Sequence, residues 1–207
     1  MVNPPELHQS SPAQQSPESE WHELSTLIEG VSDPEYVAAL HEARGSDENF
    51  IKEFRTVLST VTAEDPKAQK TGEAQAIRGF FTEKLASGEE LSDQQIGTVL
   101  YELKNRGDDA GVVEVFEAGI PSGLEGPAVL REFYAVSLNK IGRLEDSVNV
   151  LEALMTDDNA RVGEVAGILG KTRKLQSKEA SDKQQKVEYM RQSVGALEEG
   201  FYATYEF

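Results

Sequence analysis

The sequence predicts an all-α chain of tetratricopeptide-like helical hairpins stacked as an α-solenoid. Three observations predict it. Apolar residues recur at helical spacing, and no alternation of apolar and polar residues long enough for a strand interrupts them. Gly107 and Gly142 lie 35 residues apart and each follows an apolar helical stripe. A 34-residue unit drawn around Gly142 runs from Ala128 to Arg161, the period for which this architecture is known. One such hairpin cannot bury its own apolar face, so neighbours must stack on it.

Taken in order, Met1 to Glu20 is rich in Pro, Ser, Gln and Glu and carries no Lys or Arg. Such a stretch buries too little surface to offset its ordering entropy, and reads as a disordered tail. Residues 21–91 read as N-terminal helices, degenerate repeats at most, because their spacing does not lock to 34. Trp21, Leu24, Leu27 and Ile28 give a short helix whose tryptophan suits a core anchor. Asp33-Pro34-Glu35 is a helix start: a capping residue, a proline in the first turn, and an acid at the positive dipole end. Tyr36, Val37 and Leu40 form its stripe, and Gly45 with Ser46 breaks it. Phe50, Ile51, Phe54, Val57, Leu58 and Val61 make the strongest stripe of this half. Thr62 to Gly72 reads as a polar connection. Ala74, Ile77, Phe80, Phe81 and Leu85 form a further helix ending near Gly88.

Residues 92–207 carry the repeats. In the unit Ala128–Arg161, Ala135 and Leu138 face inward on the first helix, and Ser147, Leu151 and Leu154 on the second. Small residues at Ala135 and Ser147 let the two helices approach. Gly142 supplies a positive backbone dihedral at the turn. Shifted upstream, Leu100, Leu103, Val112 and Phe116 take the same places around Gly107, in a unit from Asp93 to Gly126. Downstream, Gly170 matches Ala135, while Ser193, Leu197 and Gly200 match the second helix. That hairpin carries about eleven extra residues, and the series reads as incomplete at its C-terminal end.

Composition narrows function by exclusion. The 207-residue chain has 38% hydrophobic residues, no cysteine and a net charge of −17. Disulfides, thiolate catalysis and cysteine zinc sites are excluded. Such acidity argues against general binding to nucleic acid or anionic membranes. No apolar run reaches a membrane span, and the N-terminus lacks the order of a secretory signal, which fits a cytoplasmic protein.

From Ser92 the order SDQQIGTVLYELKNRGDDAGVVEVFE, FYAVSLNKIGRLEDSVNVLEAL, VAGILGKTRKL and ALEEGFYATYEF resembles the tetratricopeptide-like central regulatory region of the apoptosis signal-regulating kinases, called the TRAFs-binding domain. Bacterial relatives carry this region without the kinase. Gly170-Lys171 with the basic residues after it, and Gly200-Phe201, are its most specific parts. The resemblance implies a regulatory module that holds partner proteins in an assembly, with ligand sensing in a signalling or defence system as the bacterial variant. It supplies no catalytic residue, and this sequence has no kinase segment.

No catalytic constellation stands out either, so the chain is expected not to be an enzyme and to need no cofactor. His8, His22 and His41 lack partners at metal-ligand spacing. The glycine-rich stretch Gly119–Gly126 lacks the Lys-Ser/Thr of a phosphate-binding loop and reads as an inter-repeat loop. The informative feature is basic: residues 171–191 hold seven Lys or Arg against three acids. One reading is a solvated loop whose lysines complement a helix C-terminus. The other uses repeat geometry, in which the first helix of each hairpin lines the concave face. There Lys104 and Asn105, Asn139 and Lys140, and Lys171, Arg173 and Lys174 line a groove for a carboxylate, a phosphate or an acidic peptide. The partner is then a protein or, alternatively, an anionic small molecule. Phe201, Tyr202, Tyr205 and Phe207 form an aromatic patch, read either as core for a further hairpin or as an interface for binding or self-association.

Overall fold

The computed structural model describes residues 48–120 and 126–205, which all fall in one compact unit. Eight helices fill those ranges, with no strand among the described residues. They are α1 (Glu48–Ser59), α2 (Pro66–Ala86), α3 (Asp93–Asn105), α4 (Asp109–Gly119), α5 (Ala128–Lys140), α6 (Leu144–Leu154), α7 (Val162–Glu179) and α8 (Lys183–Tyr205). The chain is all-α. The tail Met1–Glu20, the Trp21 helix, the Asp33 helix start and the three histidines lie outside the described residues, as does most of the Gly119–Gly126 stretch.

Local sequence explains where the helices start and stop. Ser92 caps α3 with a reciprocal pair: its hydroxyl accepts from the Gln95 amide, and the Gln95 side chain accepts from the Ser92 amide. Asp108 caps α4 by accepting from the Gly111 amide. One expectation is corrected here. The connection after α1 does not run to Gly72, because α2 already begins at Pro66. Asp65 is its cap, accepting from the Ala68 amide at 2.8 Å, and Pro66 occupies the first turn, where its missing N–H is harmless.

The turns inside the two repeat hairpins depend on glycine. Gly107 and Gly142 have φ of 74° and 83°, and a Cβ at either would meet nothing within 4 Å. Their requirement is therefore conformational rather than steric. Gly107→Ala and Gly142→Ala should each destabilise the fold by about 1 kcal/mol with no change in structure, measured by denaturant unfolding.

Each helix packs on its sequence neighbours, and α5 also touches α3 and α7. A continuous core runs from Phe50 and Phe54 on α1 to Ala196 on α8. At one end, the rings of Phe50 and Phe54 meet Phe80 of α2 edge-on at 5.2 and 5.6 Å. In the middle, Phe116 of α4 stacks on Tyr134 of α5 at 4.2 Å. Leu100, Leu103, Leu138, Leu151 and Leu154 are fully buried, as their place on the inward stripes requires.

The serines expected at helix crossings do more than save space. Ser147 of α6 donates its hydroxyl to the Ala135 carbonyl of α5 at 2.9 Å. Ser193 of α8 makes the same bond to the Gly170 carbonyl of α7 at 2.7 Å. In a helix the i−4 hydroxyl bond is the usual alternative. Here both hydroxyls instead tie one helix to its partner, so the two hairpins share a register. The extra residues of the last hairpin lengthen both of its helices, to 18 and 23 residues against 13 and 11 in the hairpin before it.

That longer hairpin corrects a second expectation. Leu197 is not core: Ser193, Ala196 and Gly200 are the buried residues of α8, and Leu197 is half exposed. The cause lies on α7. A Cβ at Gly200 would stand 2.8 Å from Ala166 Cβ and 3.1 Å from the Gly163 carbonyl oxygen, so the backbones themselves meet. A seam this close admits small side chains alone and pushes leucine to its rim.

Candidate functional site

The candidate face is built from the late residues of α3, α5 and α7. Lys104 ends α3 and bonds two groups at once, the Asp109 carboxylate at 2.7 Å and the Ser137 hydroxyl of α5 at 3.1 Å. Asp109 opens α4, where an acid also suits the helix dipole. Lys140, at the end of α5, reaches the other Asp109 oxygen at 3.3 Å. Burial alone would raise the Asp109 carboxyl. The bond and charge of Lys104, the Ser137 hydroxyl and Lys140 together hold it below the ordinary carboxylate value. Two of the predicted groove lysines thus converge, but on a carboxylate of their own chain.

Asn139 repeats the Lys104 contact one hairpin on. Its amide donates to the Thr172 hydroxyl of α7 at 2.6 Å, and Thr172 in turn donates to the Ile168 carbonyl. Upstream, Arg106 donates to Glu73 of α2 at 2.7 Å. These three bonds, Arg106 to Glu73, Lys104 to Ser137 and Asn139 to Thr172, each span 33 residues of sequence. The Asn139 carbonyl oxygen is buried without a hydrogen-bond partner. Arg173 pairs with Glu152 of α6 and donates to Gln176.

What remains facing water is smaller than the predicted groove. Lys140, Lys171, Lys174 and Asn105 are exposed, and of these lysines Lys171 and Lys174 make no ion pair with a described residue. The basic run is also not a loop. Residues 171–179 and 183–191 are helical, so its cations stand on two fixed helix surfaces.

A shallow open groove of about 430 Å³ separates the α5–α6 turn from the α7–α8 turn. Glu145, Asp146 and Glu179 line it together with Arg143, whose Nε is already bonded to Asp146 at 2.6 Å. Carboxylates outnumber cations there, so the groove does not suit an anion. Among the described residues no group of three His, Asp or Glu side chains could hold a metal ion. No helix among them is long and apolar enough to cross a membrane.

The sequence analysis missed one cluster. Arg131 and Glu132, early on α5, are both buried. Arg131 pairs with Asp157 in the α6–α7 connection, and Glu132 faces Arg161 at 3.6 Å. Arg161 in turn pairs with Glu164 of α7. Burial pushes the Glu132 carboxyl up to about 7; Arg161 opposes the rise and Glu164 adds to it. Only the adjacency of two opposite charges after Leu130 could have signalled this, and exposed helices carry such pairs everywhere.

Of the aromatic patch, Phe201 and Tyr202 are exposed on α8, with their rings edge to face at 5.8 Å. The Tyr205 side chain and Phe207 lie outside the described residues. No protein-family model, curated protein or solved structure matches this chain.

Proposed function

We propose that this chain is a non-enzymatic helical-repeat scaffold, tetratricopeptide-like in its stacking, that binds an acidic segment of a protein partner along the face formed by α3, α5 and α7. The observation that carries the reading is the pair of side-chain bonds Lys104 to Ser137 and Asn139 to Thr172, each spanning 33 residues and each joining the first helix of one hairpin to the first helix of the next. A bundle without repeats has no reason to bond its helices at one sequence interval, whereas a stack of equivalent hairpins does so at every step. The matched serine bonds of α6 and α8, and the contacts of α5 with both α3 and α7, point the same way. In this reading the chain is a relative of the TRAFs-binding region it resembles.

The recognition end of the face is Lys171 with Lys174. Lys104 and Lys140 share the single Asp109 carboxylate and serve as struts between hairpins. Two exposed ammonium groups one helical turn apart suit a carboxylate pair on a peptide better than a single compact anion. The groove between the α5–α6 and α7–α8 turns is lined mainly by carboxylates, which favours a protein partner over an anionic small molecule.

Anisotropy titration of labelled acidic peptides against the full chain tests this. Lys171→Glu with Lys174→Glu is expected to weaken binding at least about tenfold, and raised salt should weaken the parent interaction. Equal affinities for parent and double variant across all peptides would reject the assigned face. Stabilisation by nucleotides but not by peptides, read by thermal shift, would favour the small-ligand alternative.

A further inference from the structure

The outer face of α8 is built unlike the outer face of an ordinary surface helix. Its buried residues are small: Ser193, Ala196 and Gly200. Its large apolar residues lie on the flank beside that packed edge, with Leu197 innermost, against Gly170 of α7. Val187, Met190, Val194, Leu197 and Phe201 are each between 42% and 59% exposed. Their steps are three, four, three and four residues, the seam of a coiled coil, with Thr204 in the next place. At 1.5 Å per residue the stripe is about 21 Å long. A continuous apolar seam of this length on an acidic, charge-rich chain calls for a covering surface.

The charges flanking the stripe say what covers it. The first half of α8 carries Lys183, Lys186 and Arg191 against Glu188, and the second half carries Glu198 and Glu199 with no cation. A helix basic at its start and acidic at its end complements its own reversed copy. The seam fixes the register. If Val194 lies opposite Leu197 of a second copy, and Met190 opposite its Phe201, then Arg191 falls opposite its Glu198 on the flank away from α7. The two-fold axis repeats each of these contacts. Arg191 can turn outward: it is highly exposed, and among the described residues its ion-pair partner is the helix-neighbour Glu188 at 2.7 Å.

We infer that α8 pairs with the α8 of a second copy of this chain, antiparallel, through the seam from Val187 to Phe201 and two reciprocal Arg191–Glu198 ion pairs. This joins two scaffolds along α8, and neither Lys171 nor Lys174 of α7 is among the paired residues. It is independent of the peptide reading, because it uses no residue of that face.

Sedimentation of the full chain over a concentration series tests it, with charge reversals chosen so that neither disturbs the core. The parent chain is expected to dimerise, and Val194→Glu, at an exposed position, to leave a folded monomer. Arg191→Glu puts acid against acid at both pairs, and Glu198→Arg puts base against base. Each variant alone is expected to dimerise at least about tenfold more weakly than the parent. Mixed in equal amounts, they should form a heterodimer of parental strength, because both pairs then carry opposite charges. A parent chain that stays monomeric up to about 100 μM, well above a micromolar dissociation constant, would overturn the proposal. So would a dimer indifferent to Val194→Glu. A mixture no tighter than its components would overturn the antiparallel register, since a partner of another kind, or a segment from residues 1–47 lying on the seam, gives no such rescue.

Discussion

Phe116→Ala is expected to lower the unfolding free energy by about 3–5 kcal/mol, more than any other single truncation in the middle of the chain. Phe116 is fully buried on α4 and stacks on Tyr134 of α5 with rings nearly parallel. Its loss therefore opens a cavity where one hairpin meets the next, and removes an aromatic pair as well as apolar area. Tyr134 would lose its platform while its hydroxyl stays tied to Glu117 at 2.8 Å. In a stack held by nearest-neighbour contacts, such a lesion should also split the transition, so that α1–α4 and α5–α8 unfold at different denaturant concentrations. Phe201→Ala is the control. Removing that exposed ring should change the stability of monomeric chain by less than about 0.5 kcal/mol. Equal effects of the two substitutions would mean that the Phe116–Tyr134 contact does not join the hairpins.

The helices were legible because their signals are local. Gly107 and Gly142 marked turns that need a positive φ, and both have one. Ser147 and Ser193 were read as small residues at crossings, and both sit there. What escaped depended on partners distant in sequence. Lys104 and Lys140 looked like matched groove donors; Asp109 follows Lys104 closely in sequence, but nothing local reveals that Lys140 of α5 shares it. Leu197 took the place of a core leucine by alignment. Its exposure follows from glycines on α7 that bring the two backbones together, a property of the pair and not of either helix. Asp65-Pro66 is the exception, a local capping signal that was present and went unused, so α2 was started too late.

Glu132 gives the second large effect, and its sign follows from its surroundings. Its side chain is 7% exposed, and its folded pKa of about 7 stands above the ordinary value of 4.5. Between those two values the folded chain holds a proton that the unfolded chain has lost. Stability from this group is thus complete below about pH 4.5 and is lost as pH rises through 7. A shift of that size corresponds to about 3 kcal/mol. Asp109 and Asp157 are held below the ordinary 3.8, so their contributions are present above that value and fade only in stronger acid. The windows do not overlap. Glu132→Gln should accordingly stabilise the chain by up to about 3 kcal/mol at pH 8 and leave it nearly unchanged at pH 4.5. Urea unfolding of parent and variant at both pH values decides the matter, and a difference independent of pH would show that Glu132 is ionised throughout. The location gives the effect its meaning. Glu132 on α5 faces Arg161 at the start of α7, so ionisation puts an imperfectly paired charge into the junction between consecutive hairpins.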